Sequence, residues 1–143
     1  MLIHLISQNA KVPLRGSEGA AGYDLFSIEN KTIRSQTREK IHTGIMMEIP
    51  SGRYGRIASR SSMALKGIDV KAGVVDSDYR GEIIVLLHNT TNSDFVINMG
   101  DRIAQIIIEA HFTPTFVIVD DDYCISQTKR GDGGFGSTNT ITT

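Results

Sequence analysis

The sequence contains one cysteine, three prolines and no tryptophan among its 143 residues. A single cysteine excludes a disulfide within the chain, so a hydrophobic core has to stabilise the fold. A domain of this length buries roughly two-thirds of the surface that its unfolded chain exposes, which is enough for such a core. The composition therefore fits one domain that folds without disulfides.

Long apolar runs are also missing from the sequence. None approaches the ~20 residues of a transmembrane helix. Residues 1–12 lack the basic stretch and the continuous apolar stretch of a secretory signal. We therefore expect a soluble intracellular protein, in the cytoplasm or the nucleus, with no membrane partner.

Neither sign of charge is in excess. The chain has 15 basic and 16 acidic side chains, for a net charge of −1. Proteins that bind nucleic acid usually carry a basic patch or stripe. We therefore expect no nucleic-acid partner, and any nucleotide that this chain recognises should be a small molecule.

The apolar patterning is typical of strands. Short β-branched runs alternate with turns that contain glycine, aspartate or asparagine. The predicted strands include residues 44–50, 53–58, 82–88 and 102–109. The last two runs are apolar on both faces, so we expect other subunits to cover part of them.

Helical periodicity is nearly absent. Only residues 61–66 predict a turn or two of helix, with Ser61 or Ser62 as its N-cap. The fold is therefore predicted to be all-β, with roughly eight or more short strands in a sandwich or jelly-roll.

The last part of the chain differs from the rest. Residues 130–138 read RGDGGFGST, which combines an arginine, an aromatic ring and two hydroxyls with four glycines whose backbone N–H groups can converge on an anion. The spacing satisfies G-x-G-x-x-G, but that fingerprint also needs a following helix, which the polar residues 137–143 do not predict. We expect a β-sandwich or jelly-roll domain at residues 1–119 and a flexible C-terminal arm at residues 120–143 that carries this glycine-rich motif.

A second group of chemical residues lies in GVVDSDYRGE, residues 73–82. Asp76 and Asp78 flank a serine, and Tyr79 follows between two apolar segments, which indicates a β-hairpin or a tight loop. Aspartate and glycine favour turns on their own account, so a simple turn is the plain alternative. A loop carboxylate beside an aromatic ring can instead orient a water molecule for attack.

Three further segments carry polar side chains among apolar or small ones. GRIASRSSMAL, residues 55–65, offers a guanidinium and two hydroxyls at a possible helix start, and GAAGYDLFS, residues 19–27, has Asp24 as its only charge. In GDRIAQIIIE, residues 100–109, Gln105 interrupts an apolar strand. A buried amide needs partners, so Gln105 satisfies either a neighbouring backbone or a ligand at a subunit boundary.

Five blocks in this order resemble the five motifs of the trimeric dUTPase family: AAGYDL, GRIASRSSMAL, GVVDSDYRGE, GDRIAQ and RGDGGFGST. The resemblance spans residues 20–138. It implies a jelly-roll homotrimer of the β-clip type that hydrolyses dUTP to dUMP and pyrophosphate with Mg²⁺. Three active sites would lie at subunit interfaces, and the arm of one subunit would close over the site of another.

The resemblance also implies roles for residues of the third block. Asp76 resembles the catalytic aspartate that holds the water attacking the α-phosphorus. Tyr79 resembles the residue whose ring packs on the deoxyribose and leaves no room for a 2′-hydroxyl. The main chain around Gly73, Val74 and Val75 would pair with the uracil edge.

The remaining blocks would bind the triphosphate and close the site. Asp24 resembles a supporting residue near the waters of the metal, and no side chain would bind Mg²⁺ directly. The implied phosphate contacts are Arg60, Ser61, Ser62, Gln105 and, on the arm, Arg130. The implied clamp over the base is Phe135, which stacks on uracil, with Gly136, Ser137 and Thr138.

The chain departs from the family pattern at a few positions. Ser59 replaces the proline usual before the Arg-Ser pair, and Lys71 stands where a small residue is frequent. Neither change removes a reacting group. Loss of the proline is expected to loosen the phosphate loop, and Lys71 puts a charge near the uracil-binding segment.

Two alternatives to the function implied by the resemblance remain. The related dCTP deaminases share the fold and the trimer, but their chemistry needs a glutamate base, which the Asp-Ser-Asp-Tyr sequence does not match. A catalytically competent trimer whose selected role is nucleotide-dependent binding of a regulatory partner is the other alternative.

Overall fold

The computed structural model describes residues 1–120, 123 and 125–133. In this part of the chain the backbone forms eleven strands and one short helix. The strands are β1 (Leu2–Leu5), β2 (Tyr23–Phe26), β3 (Lys31–Ile33), β4 (Arg38–His42), β5 (Ile45–Glu48), β6 (Arg53–Ala58), β7 (Ile68–Lys71), β8 (Val74–Val75), β9 (Ile84–Asn89), β10 (Phe95–Ile97) and β11 (Arg102–Ala110), and the helix is α1 (Ser61–Leu65). The all-β class predicted from the sequence is confirmed.

All the strand pairs are antiparallel, and they form four small sheets. The largest has the order β2-β11-β6-β8, and a three-stranded sheet has the order β4-β9-β7. Two-stranded sheets join β1 to β5 and β10 to β3. The long strand β11 therefore lies between β2 and β6.

The core forms between these sheets because alternate residues of each strand point inward. Isoleucine dominates it, as expected for half-buried strands. The fully buried hydrophobic side chains include Leu25, Ile33, Ile41, Ile68, Val85, Leu87, Ile103 and Ile106. The two central strands, β9 and β11, thus each contribute several side chains to one continuous core.

Among the described residues, one face of β9 is fully covered and the other only in part. Val85 and Leu87 are buried, whereas Ile84 and Leu86, which point to the other face, are half-buried. Because this strand is apolar on both faces, we expect another subunit to cover its second face, and this remains a prediction.

The helix begins as predicted, but its cap differs. The N-cap is Arg60, whose backbone is extended (φ −77°, ψ 145°), and no side chain caps the helix. The expectation that Ser61 or Ser62 would be the cap was wrong, because both serines lie inside the first turn, where a side chain cannot accept from the free N–H groups ahead of it. Both hydroxyls are consequently exposed and available.

The segment between β8 and β9 is a tight loop, so the β-hairpin alternative was wrong. β8 pairs with β6, whereas β9 pairs with β4 and β7. The chain therefore passes from one sheet to the other on each side of β8. This arrangement leaves the residues after β8 at the gap between the two sheets.

The chain divides into two compact units, residues Met1–Phe112 and Thr113–Thr143. The eleven strands and the helix of the described residues lie in the first unit. The division into a catalytic domain at residues 1–119 and an arm at residues 120–143 remains a prediction. No helix in the described part of the chain is long and apolar enough to span a membrane.

Candidate functional site

A cavity of about 180 Å³ lies around the end of β8. Its wall combines apolar strand residues with the polar loop that follows, and includes Ile57, Val74, Val75, Asp76, Tyr79 and Ile83. Four of the residues predicted to bind or attack the substrate therefore meet here. Gly73 adjoins them, because its carbonyl accepts a hydrogen bond from the Ile57 N–H at 2.7 Å.

The backbone that enters this cavity is tightly constrained. Ala72 has a φ of +50°, a left-handed conformation that costs a non-glycine residue roughly 1–2 kcal/mol. At Gly73 a Cβ atom would meet the carbonyl oxygen of Ile57 far inside van der Waals contact. Only glycine at position 73 allows the chain to approach β6 this closely.

Tyr79 is held in place by its own loop. Its hydroxyl donates to the carbonyl of Glu82 at 3.0 Å, and its N–H donates to the carbonyl of Asp76 at 3.2 Å. A Cβ atom at Gly81 would meet the Tyr79 hydroxyl, so glycine there lets the ring keep this position. The ring is 45% exposed, which leaves a face free for a ligand.

A second cavity, of about 380 Å³, is lined by three cationic side chains and one carboxylate, that of Asp101. It is lined by Arg60 and Ser62 at the start of α1, by Lys66 at its end, and by Arg102 at the start of β11. The exposed Ser61 lies between Arg60 and Ser62 in sequence. The predicted phosphate-binding triplet therefore lies at a surface with three cationic side chains.

Asp24 orients two of these cations. Its Oδ1 atom lies 2.8 Å from the Nε of Arg60, and its Oδ2 atom lies 3.2 Å from an Nη of Arg102. The Asp24 side chain is only 13% exposed, so solvent screens these pairs less than at an open surface. The sequence suggested Asp24 as a support for the waters of a metal, and that role is untested. The structure assigns both of its oxygens to guanidinium groups.

Arg102 is a site residue that sequence reasoning missed. The sequence did offer a signal for Arg102, namely its position near the start of the GDRIAQ block. The register of β11 against β2 shifts between Arg102 and Ala104, which is a β-bulge or irregularity. Beyond it, Gln105 lies opposite Asp24 on one side and Ala58 on the other, so strand pairing brings the blocks AAGYDL, GRIASRSSMAL and GDRIAQ together.

Gln105 has a backbone partner. Its Nε2 atom donates to the carbonyl of Ser59 at 3.1 Å. A Cβ atom at Gly22 would collide with the Gln105 Oε1 atom, which accounts for the glycine in AAGYDL. Of the two alternatives given for Gln105, a backbone partner or a ligand at a subunit boundary, this bond is the first. A direct contact with phosphate remains a prediction.

A cluster of three side chains that sequence reasoning also missed joins β6 to β11. The hydroxyl of Tyr54 donates to Glu109 Oε2 at 2.6 Å, and Arg56 donates to Glu109 Oε1 from Nε at 2.9 Å and from Nη2 at 2.7 Å. Tyr54 also lines a cavity of about 310 Å³ with Val74, Asp76 and His111. The cluster therefore borders the loop that carries Asp76.

The charges of this cluster support one another. Hydrogen bonds from Arg56 and then Tyr54 lower the pKa of the Glu109 carboxyl. The bond to Glu109 raises the pKa of the Tyr54 hydroxyl, and the same carboxylate raises the pKa of the Arg56 guanidinium. At neutral pH the cluster thus contains one anion, one cation and a neutral phenol.

The predicted residues do not all meet in one place. Asp76 and Tyr79 line one cavity, whereas Arg60 and Ser62 line another. Arg130 belongs to the second unit, where its Nε donates to the carbonyl of Gly133 at 2.7 Å. The predicted clamp residues Phe135, Gly136, Ser137 and Thr138 lie outside the described residues.

The described part of the chain has no group of three or more histidine, cysteine, aspartate or glutamate side chains that could hold a metal ion. The carboxylates that line the cavities are Asp76 and Glu82 at the first and Asp101 at the second, while both oxygens of Asp24 lie against guanidinium groups. A cation here would therefore need ligands from a bound molecule or from water.

Comparison with known proteins gives one consistent result. A family model described as dUTPase matches residues 8–139. A deoxyuridine 5'-triphosphate nucleotidohydrolase from Paramecium bursaria Chlorella virus 1 is 50% identical over 139 residues, which are 96% of either chain. The Yarrowia lipolytica protein of the same name is 46% identical over 137 residues, 95% of this chain and 87% of its relative.

Solved structures agree with these relatives. A mutant dUTPase of Staphylococcus bacteriophage 80alpha, solved with dUpNHpp, superposes with a TM-score of 0.88 at 27% identity over 96% of both chains. A mutant dUTPase of phage phi11 of S. aureus, described with a structural Mg(II) ion, gives a TM-score of 0.79 at 26% identity and covers 85% of this chain and 97% of its own. The predicted jelly-roll architecture is confirmed by these superpositions.

The Tyr54–Arg56–Glu109 cluster predicts a pH dependence of stability. Because the pKa of Glu109 is lowered in the folded chain, its charge stabilises the fold above the pKa of the unfolded chain, near 4.5. That contribution is lost as the pH falls through the folded value. We expect Glu109→Gln to be less stable than the wild type at neutral pH, and the difference to shrink at acid pH, in urea unfolding at one fixed protein concentration.

The matched control is Glu48→Gln, which removes an exposed carboxylate at the end of β5. Its effect should be small throughout the same pH series. A stability difference for Glu109→Gln that stays constant down to about pH 3 would contradict the role of the Glu109 charge.

Proposed function

This chain belongs to the dUTPase family, and we propose that it hydrolyses dUTP to dUMP and pyrophosphate with Asp76 as its catalytic carboxylate. The observation that carries this assignment is the cavity where Asp76, Tyr79, Val74 and Val75 meet. Membership of the family favours hydrolysis over deamination. In a cell, the reaction would limit uracil incorporation into DNA and supply dUMP for thymidylate synthesis, and the proposed compartment is the cytoplasm or nucleus.

Uracil and deoxyribose are the parts of the substrate that the first cavity would bind. The main chain of Gly73, Val74 and Val75 would pair with the edge of uracil, where a base that presents the wrong donors and acceptors leaves buried groups unpaired. The Tyr79 ring would pack on the deoxyribose. Support comes from the fixed hydroxyl of Tyr79, since an anchored ring can exclude a 2′-hydroxyl more firmly than a mobile one.

The triphosphate would bind at the cationic cavity. Arg60 provides charge and directional donors, and Ser61 and Ser62 provide exposed hydroxyls at the first turn of α1. We add Arg102, which shares Asp24 with Arg60. Asp24 would fix the directions of both guanidinium groups before the substrate arrives, and such preorganised cations stabilise the charge that develops during phosphoryl transfer.

In the proposed reaction a water oxygen attacks the α-phosphorus as the bond from that phosphorus to the bridging oxygen of the pyrophosphate breaks. Asp76 holds the water and accepts its proton. Pyrophosphate departs with the electron pair of the broken bond, and its charge is met by the arginines. Asp76 is exposed in the isolated chain, and a carboxylate surrounded by water is a weak general base. The site therefore needs further cover.

Mg²⁺ is the proposed cofactor. The donor set fits a cation held through the substrate, because both Asp24 oxygens bond to arginines and the described residues contain no metal-binding cluster. Phosphate oxygens and water are the ligands that Mg²⁺ prefers at nucleotide sites. When bound, the ion would neutralise charge on the leaving pyrophosphate.

We further propose a homotrimer with three sites at its subunit interfaces. Within one chain, Asp76 and Arg60 line different cavities, so a single site could combine cavities from two subunits. The half-buried Ile84 and Leu86 of β9 offer apolar surface for such contacts. A run of exposed apolar side chains before the arm, which a lone chain would leave in water, comprises Phe112, Phe116, Val117 and Ile118.

The arm, residues 120–143, would close over the site of another subunit. Arg130 would contact the γ-phosphate and Phe135 would stack on uracil, with Gly136, Ser137 and Thr138 completing the clamp. Gly131 has a φ of +52° and lies in a turn in which its N–H donates to the carbonyl of Thr128. This turn supports the proposal, because a lid needs a chain that can change direction.

Asp76→Asn is expected to abolish most pyrophosphate release from dUTP. Loss of a general base lowers turnover by roughly 10²–10⁴-fold, while dUMP binding should persist because the cavity wall is unchanged. The measurements are pyrophosphate release and calorimetric binding. Asp78→Asn, in the same loop, is the matched control and should keep nearly full turnover. Unchanged turnover in Asp76→Asn would overturn the catalytic assignment.

Truncation before Arg130 tests the arm. We expect a folded trimer with little activity, because the lid is missing while the residues of the first unit remain. Mixing this chain with Asp76→Asn chains should restore some turnover, since a mixed trimer contains sites with an intact Asp76 and an intact arm from different subunits. Labelled subunits verify that exchange takes place. If exchange is verified and no mixture gains activity, the arm does not act between subunits.

A further inference from the structure

Ser59 connects three segments of the chain. It follows β6 directly and precedes Arg60, the N-cap of α1. Its hydroxyl oxygen accepts a hydrogen bond from the N–H of Val70 on β7 at 2.9 Å, and its carbonyl accepts from the Nε2 of Gln105 on β11 at 3.1 Å. The first bond depends on the Ser59 side chain, whereas the second depends only on its backbone.

The bond to Val70 holds one end of the segment that enters the base cavity. This crossover segment, residues 70–75, passes from the sheet of β7 to the sheet of β8. Further along, the segment is tied to β6 by the bond from the Ile57 N–H to the Gly73 carbonyl at 2.7 Å. Both ties therefore fix the crossover segment to the last residues of β6 and the one residue after it.

Between these ties the backbone is strained. Ala72 takes a left-handed conformation, and Gly73 is in close contact with Ile57. A strained backbone persists only where its surroundings fix it from several sides. Strand pairing also holds this segment at both ends, Val70 and Lys71 to β9 and Val74 and Val75 to β6. Loss of the tie to Ser59 should therefore let Ala72 and Gly73 relax and shift the main chain that leads into Val74 and Val75.

We propose that Ser59 is a positioning residue for base recognition: through Val70 its hydroxyl sets the place of the main chain that reads the base. The proposal rests on the proposed function, because that function assigns Gly73, Val74 and Val75 to the uracil edge. Ser59 itself touches no reacting atom.

The chemistry limits which residues can do this. The side chain at position 59 must present an acceptor one bond from Cβ, which serine and threonine do and alanine and proline do not. Without that acceptor the partly buried N–H of Val70 loses its partner. The bond to Gln105 stays in place, so the defect falls on the base side of the site.

The experiment compares Ser59→Ala and Ser59→Thr with the wild type. Binding of dUMP and dTMP is measured by calorimetry, and kcat and KM are measured with dUTP. In Ser59→Ala we expect dUMP binding to weaken by roughly 3- to 10-fold, the scale of one hydrogen bond. The preference for dUMP over dTMP should narrow, and KM should rise more than kcat falls. Ser59→Thr should stay within about twofold of the wild type, because it keeps the acceptor.

The matched control is Ser35→Ala. The Ser35 hydroxyl also bonds to a distant backbone group, here as a donor to the Thr91 carbonyl at 2.9 Å, but neither residue lines the cavities described above. A loss of stability alone would change Ser35→Ala and Ser59→Ala alike and would not change base preference. Equal losses for dUMP and dTMP in Ser59→Ala, or equal losses in Ser59→Ala and Ser59→Thr, would overturn the proposal.

Measurements on the wild type keep the test decisive. If Ser59→Ala does not fold, amide hydrogen exchange of the wild type replaces it: slow exchange at Val70 supports the tie, and exchange as fast as at unbonded loop amides overturns it. A wild type that binds dUMP but does not hydrolyse dUTP would overturn the proposed function and leave the binding comparison valid. A wild type without preference for dUMP over dTMP would overturn the role of Ser59 as well.

Discussion

The phosphate side of the site depends on a row of residues across three strands, in which Gln105 of β11 lies between Asp24 of β2 and Ala58 of β6. Because Arg60 comes two residues after Ala58, this register places its guanidinium beside the Asp24 carboxylate. The row is fixed by burial: a slip of one residue would turn the buried Ile106 and its neighbours to the opposite face. Core packing thus determines where the cations of the site point, and Asp24 lets two like charges lie close together without strong repulsion.

The base side depends on a different constraint, the passage of the chain between two sheets at Ala72 and Gly73. Close approach to β6 requires a glycine, and the left-handed residue before it requires support from the surrounding bonds. The result is a cavity that a single chain leaves open, with Val74 65% exposed and Asp76 in contact with solvent. A rigid but uncovered base pocket and a separate cationic pocket together favour an enzyme whose sites are completed by assembly.

Much of this organisation could be predicted from the sequence, and the remainder could not for physical reasons. The strand at Arg53–Ala58 was predicted with its observed limits, because alternation and flanking glycine are local signals. The cap of α1 was predicted wrongly, since a cap depends on where the backbone leaves its extended conformation. The bonds of Glu109 to Tyr54 and Arg56 join residues more than 50 positions apart, and only strand register reveals them. Motif glycines such as Gly22 were visible in the sequence, but the close contact that requires them was not.

The central claim is that the fold presents a uracil-reading backbone and a phosphate-binding surface to one substrate. Initial rates of pyrophosphate release with dUTP, UTP, dCTP and dTTP, measured side by side with Mg²⁺, test it most directly. The expected result is that dUTP is hydrolysed far faster than the other three. The rate with dCTP should be lower by roughly 10⁴-fold, because its base edge presents the wrong donors and acceptors. Comparable rates for dUTP and dCTP, or ammonia release from dCTP, would contradict it.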